Sequence, residues 1–213
     1  MAANITTIRS NVRKDLHDED AAAYRWTDAS LDRHITRAVA DYSIAAPLEQ
    51  RSTLTTSAGS RDLSVASLAS LIAIEAVEWP TGEFPPHRVA WSQWQTTITL
   101  DVAAAPSGVE NVYVFWLKAH TLDAATSTIP PQHDELITEG AAGYAALDWT
   151  SFSTNRLNIG SSDVWGRYKA FADERLRQFR ADLARLGRGN AVRVRRLYGT
   201  DAPSIFEQQR VKY

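Results

Sequence analysis

The chain has 213 residues, 44% of them hydrophobic and 23% charged, with a formal net charge of −2. This suits one large or two small globular domains with a sizeable core, and it argues against nucleic-acid binding by bulk charge. The absence of cysteine excludes disulfides, thiolate metal sites and cysteine nucleophiles, and no apolar run approaches a membrane span. The first ten residues lack a basic stretch leading into an apolar one, so no secretory signal is expected.

Residues 4–17 read as a first helix, with Ile5, Ile8, Val12 and Leu16 on one face and Asn4 or Thr6 as its cap. The acidic group Asp15, Asp18, Glu19 and Asp20 lacks the glycine and spacing of a calcium loop and is expected to be a solvated helix end. A second helix is expected over 28–45. Leu31, Ile35, Ala38 and Tyr42 share its apolar face, Thr27 caps it, and Pro47 ends it. Its outer face carries Asp32, Arg33, Arg37 and Asp41, with Arg37 and Asp41 spaced for an i,i+4 pair.

Composition turns to Thr, Ser, Val and Trp over 49–127. Arg51–Thr56 and Arg61–Ser64 read as a hairpin, followed by a helical turn near 65–71. The stretch from Leu71 to Trp79 reads as a strand with Ile72 and Ile74 on one face and Ala73, Val77 and Trp79 on the other. Strands at Val89–Trp94 and Thr96–Asp101 follow a loop rich in proline. In Val109–Leu117 both faces are apolar, which predicts a central, covered strand. These five or six strands predict a small antiparallel sheet or partial barrel inserted in a helical protein.

Helix resumes after Pro130 and Pro131 and is expected over 132–158. Gly140-Ala141-Ala142-Gly143 is costly there unless a second helix crosses closely. The last helix, 164–186, carries the longest stripe: Trp165, Tyr168, Ala172, Leu176, Phe179, Leu183 and Leu186. Asp173–Arg177 and Asp182–Arg185 are placed to support its solvent face, and Gly187 to Asn190 to end it. Residues 187–213 carry six Lys and Arg against two acids, a charge of +4, so the other 186 residues sum to −6. This segment keeps Val192, Val194, Leu197, Tyr198, Ile205 and Phe206 among its basic groups, and is read as an extended arm that orders on a partner.

No catalytic pattern is visible. The five histidines are not spaced as metal ligands, and His34, off the apolar stripe, is expected at the surface. No nucleophile elbow, phosphate loop or dinucleotide fingerprint is present. No cofactor and no metal are expected. Of seven tryptophans, Trp91 and Trp94 lie near the proline-rich loop and would suit stacking on a sugar if exposed, although packing is the simpler reading.

One stretch carries more than periodicity. WTDASLDRHITRAVADYS, behind a helix that ends in acidic residues, resembles the opening of tailed-phage head–tail connector (adaptor) proteins, through Trp26, Thr27, Asp28, Leu31, Ile35, Ala38 and Tyr42. His120–Trp149, an extended run through a proline pair into a small-residue helix, is similar to longer adaptors. The two stretches cover a little under a quarter of the chain, and the insert at 49–127 is longer than the loop of compact relatives.

The resemblance implies a structural virion protein rather than an enzyme. It implies a homo-oligomeric ring, usually of twelve copies, mounted beneath the portal protein. Double-stranded DNA passes through the lumen without sequence recognition, and a stopper or tail protein binds the far side. Made in the host cytoplasm, the protein would reside in the virion neck, with no membrane partner. Portal contacts are expected from Arg193, Arg195, Arg196, Leu197, Tyr198, Ile205 and Phe206, and subunit contacts from Asp32, Arg33, Arg37 and Asp41. The alternative is a β-sheet binding module recognising a carbohydrate or host surface through Trp91 and Trp94. The expected architecture is α+β: a helical body of about four helices (1–48 plus 128–186), an inserted antiparallel β-domain (49–127) and an extended C-terminal arm (187–213).

Overall fold

The computed structural model describes the backbone of residues 3–154 and 162–193 and the side chains of 3–151 and 166–189. The fold is α+β, with helices α1 (Ile5–Asp15), α2 (Asp28–Ala45), α3 (Asp134–Thr154) and α4 (Ser162–Arg193). Between α2 and α3 lie strands β1 (Leu48–Thr55), β2 (Asp62–Ser64), β3 (Leu71–Glu78), β4 (Arg88–Trp94), β5 (Thr97–Asp101) and β6 (Asn111–Lys118). Two separate apolar cores result, one in the helical body and one in the sheet.

Local chemistry sets the helix starts. Asn4 accepts the amide of Thr7 at the head of α1, and Thr27 accepts the amide of Ser30 at the head of α2. Leu31, Ile35, Ala38 and Tyr42 are buried as their spacing requires. Pro131 opens a single 3-10 turn, Pro131–His133, that leads into α3. The glycines of α3 mark a tight crossing with α4. A Cβ on Gly140 would stand 2.8 Å from the Phe179 ring, and one on Gly143 would stand 2.9 Å from Leu176.

The end of α4 departs from expectation. The helix continues through Gly187–Asn190 to Arg193. Gly187 sits where α4 passes the end of α2, its Cβ position at an ordinary contact distance of 3.6 Å from the Ala45 carbonyl, and it does not end the helix. On the solvent face Arg177 pairs with Glu174 at 2.5 Å instead of Asp173, which takes Lys169 at 2.7 Å; Arg185 pairs with Asp182 as expected.

The sheet runs β1-β6-β3-β4-β5-β2, with every pair antiparallel. The expected hairpin of the first two strands does not form. β1 and β2 are consecutive in sequence yet occupy opposite edges, so the sheet curls toward itself. Thr56 and Gly59 in the connection bond to the carbonyls of Glu110 and Pro106, drawing the chain past the β5–β6 loop. In β3 the expected alternation also fails. Register shifts between Leu71 and Ala73 and between Ile74 and Ala76 put Ile74 and Val77 together in the core and leave Ile72 exposed. β6 behaves as expected on its inner face, with Val112, Val114 and Trp116 buried. Its other face is only half-buried, roofed by Arg51 over Tyr113 and Arg88 over Phe115 at 4.8 and 4.0 Å.

Candidate functional site

The outer face of α2, expected to meet neighbouring subunits, is tied first to this chain's own helices. Arg9 of α1 forks onto Asp32 through Nε and Nη2, both at 2.8 Å. That bond is the main reason the Arg9 guanidinium is held above its ordinary range. Arg33 reaches Asp148 of α3 at 3.0 Å, with both groups largely exposed. Arg37 and Asp41 converge on Tyr144 of α3 rather than on each other. The guanidinium lies 4.0 Å from the ring centroid, and the tyrosine hydroxyl donates to Asp41. Burial pushes the Tyr144 hydroxyl pKa up, and its bond to Asp41 adds to that.

The acidic group after α1 is not simply solvated. Asp18 is buried with Arg13, at 2.6 Å, and accepts the amides of Arg25 and Trp26. Arg13 also donates to Asp28 at 2.7 Å and to the Trp26 carbonyl at 3.0 Å, and it lies 3.6 Å from the Tyr24 ring centroid. Its hydrogen bond is the leading cause of the lowered Asp28 pKa. Trp26 packs on Trp149 with centroids 5.7 Å apart and donates to the Ala145 carbonyl. The tryptophan, the cap and the aspartate of the family-like stretch thus form one knot joining α1, α2 and α3.

Two histidines are buried. His34 is not at the surface: it packs inside the body, its Nε2 3.6 Å from Asp148, and burial drives its pKa down. His120 joins the body to the sheet. Its Nε2 is 2.9 Å from the Ala46 carbonyl, while Nδ1 lies 3.0 Å from the Thr128 carbonyl and 3.1 Å from the Thr128 hydroxyl. Burial again lowers the pKa. Tyr42 stacks beside it and shares a 2.7 Å hydrogen bond with His133. Among the described residues, no cluster of three or more His, Asp or Glu is placed to hold a metal ion.

The two tryptophans of the alternative reading do not share one surface. Trp91 and Trp94 are three apart on β4, so they take opposite faces. Trp91 packs against the sheet core, and Trp94 is 80% exposed. The portal-contact residues Arg193, Arg195, Arg196, Leu197, Tyr198, Ile205 and Phe206 lie outside the described side chains.

Two further surfaces stand out, neither visible as a motif. The β1–β2, β3–β4 and β5–β6 connections leave the end of the sheet opposite the body, as the pairings Thr55↔Asn111 and Glu78↔Arg88 require. Trp79 donates to Glu110 at 3.1 Å, and Arg61 donates to the carbonyls of Val102 and Ala103, so these loops brace one another. From the braced tip Phe84 projects, 97% exposed. On the body, a groove of about 560 Å³ runs between the end of α2 and α4, with Ile44, 75% exposed, on its rim.

The fold and its surfaces define a mixed α+β scaffold in which Arg9, Arg13, Asp18 and Asp41 are tied to this chain's own helices. No protein-family model matches this chain, and no curated protein matches it. Among solved structures, the neck of an empty GTA particle, computed with C6 symmetry, is similar at a TM-score of 0.31 and 15% identity, over 76% of this chain and 82% of that one.

Proposed function

We propose that the protein is a structural neck component of a tailed-phage-type particle, a head–tail connector that forms a ring beneath the portal. The observation that carries this reading is the fate of the family-like stretch. Trp26, Thr27, Asp28, Leu31, Ile35, Ala38 and Tyr42 are all spent on capping, ion pairing and core packing, which ties three helices and the sheet into one unit. A load-transmitting ring subunit needs that construction. Charge supports the same reading. The first 186 residues sum to −6, so a DNA duplex would slide through the lumen without sticking, while the +4, apolar-studded segment at 187–213 suits insertion between portal subunits.

The test is direct. Purified protein mixed with the portal of its own particle should give rings in electron micrographs, and deletion of residues 194–213 should abolish portal binding while leaving the circular dichroism spectrum intact. Monomers beside intact portals, or unchanged binding after the deletion, would overturn the reading.

A further inference from the structure

We propose that the contact between neighbouring copies is made by the Phe84 tip of one chain seated in the α2–α4 groove of the next; this rests on the ring reading. A rotational ring needs two different patches on each subunit, one that gives and one that receives. This chain carries one of each. Phe84 stands clear of its surroundings at 97% exposure, in a loop that Pro80, Pro85 and Pro86 restrict and that hydrogen bonds brace. A preorganised aromatic anchor loses little conformational entropy on docking. The groove is open, and its lining combines Ile44, Ala45, Leu183 and Ala184 with the charges of Asp41 and Arg180.

Charge fits the pairing. Glu83 precedes Phe84 on the tip and is exposed. Arg180 stands exposed on the α4 wall of the groove, one turn before Leu183 and Ala184. The groove's own acid, Asp41, is turned to the Tyr144 hydroxyl, which leaves Arg180 to meet the incoming glutamate. The tip lies at the end of the sheet away from the body and the groove lies on the body, so one chain cannot satisfy itself across that length; the contact runs head to tail.

The natural absence of cysteine makes a clean test. Full-length Thr81→Cys and Ala184→Cys proteins are mixed and treated with a short bis-maleimide; Thr81 lies in the same loop and leaves Phe84 in place. The expected result is a heterodimer several-fold above either homodimer and above a control mixture of Thr81→Cys with Ser67→Cys, which sits on an exposed turn. A heterodimer yield no higher than the control overturns the proposal. In sedimentation, Phe84→Ala is expected to weaken self-association about 30-fold, the loss typical of an aromatic anchor. A Glu83→Arg, Arg180→Glu double variant should restore association lost in either single variant, and failure to do so counts against it. Rings on the portal from Phe84→Ala equal to wild type would overturn this contact and leave the ring standing. A positive cross-link without rings on the portal would keep the contact and remove the ring.

Discussion

Replacing Gly140 by alanine tests the tight α3–α4 crossing on which the helical body depends. In an open helix interior, Gly→Ala stabilises by about 1 kcal/mol. Gly166 in α4 supplies that control, because a Cβ there meets nothing within 4 Å. At Gly140 the added methyl stands 2.8 Å from Phe179 Cε2 and Cζ, well inside the roughly 3.5–4.0 Å at which carbon atoms attract. The ring has nowhere to go: Phe179 is fully buried and lies edge-on to Tyr144, centroids 6.3 Å apart. Overpacking of this kind costs about 1–3 kcal/mol. The propensity gain offsets about 1 kcal/mol, so Gly140→Ala should be destabilised by up to about 2 kcal/mol while Gly166→Ala gains about 1. Urea titrations read this as midpoints moving in opposite directions at unchanged slope. Adding Phe179→Leu should cost less in the Gly140→Ala background than in wild type, a coupling of about 0.5–3 kcal/mol. Equal stabilisation by both alanines would refute the close crossing.

Three further outcomes are expected. Arg13→Ala should lose about 3–5 kcal/mol because it strands Asp18 in the interior, and Arg13→Met with Asp18→Asn should lose much less; chemical denaturation measures both. His34 and His120 have pKa values lowered by burial from the ordinary 6.5, so below that pH the unfolded chain binds protons that the folded chain refuses. The thermal midpoint should therefore fall as pH drops through 6.5, and a His34→Gln, His120→Gln variant should show a flatter profile. Trp94→Ala should change stability by less than about 0.5 kcal/mol and Trp91→Ala should cost about 2, which separates the exposed ring from the packed one.

The sequence was most informative where one residue type at one spacing does a local job. Thr27, Leu31, Ile35, Ala38 and Tyr42 specify α2 without reference to the rest of the chain, and the glycines of α3 announced a neighbour. It failed where distant partners decide. Asp18 reads as a solvated acid until Arg13 and two amides close around it. His34 reads as polar surface until Asp148 arrives from α3. The edge positions of β1 and β2 follow from bonds to residues 106 and 110, about fifty positions away, which no hairpin rule contains. The charged face of α2 was legible as special, but its first duty is to hold α1 and α3. The Phe84 tip and the groove have no sequence signature, because exposure belongs to the fold.

The pairing of Leu48 with Lys118 has an evolutionary consequence. The first and last strands of the insert lie side by side where they leave the body, so the chain departs and returns through one narrow gate. Everything between residues 49 and 117 is a cassette hung on two adjacent threads. Lineages can lengthen, shorten or exchange such a cassette without moving a single residue of the helical core. Only the tip at Phe84 would have to stay matched to the groove it is proposed to meet.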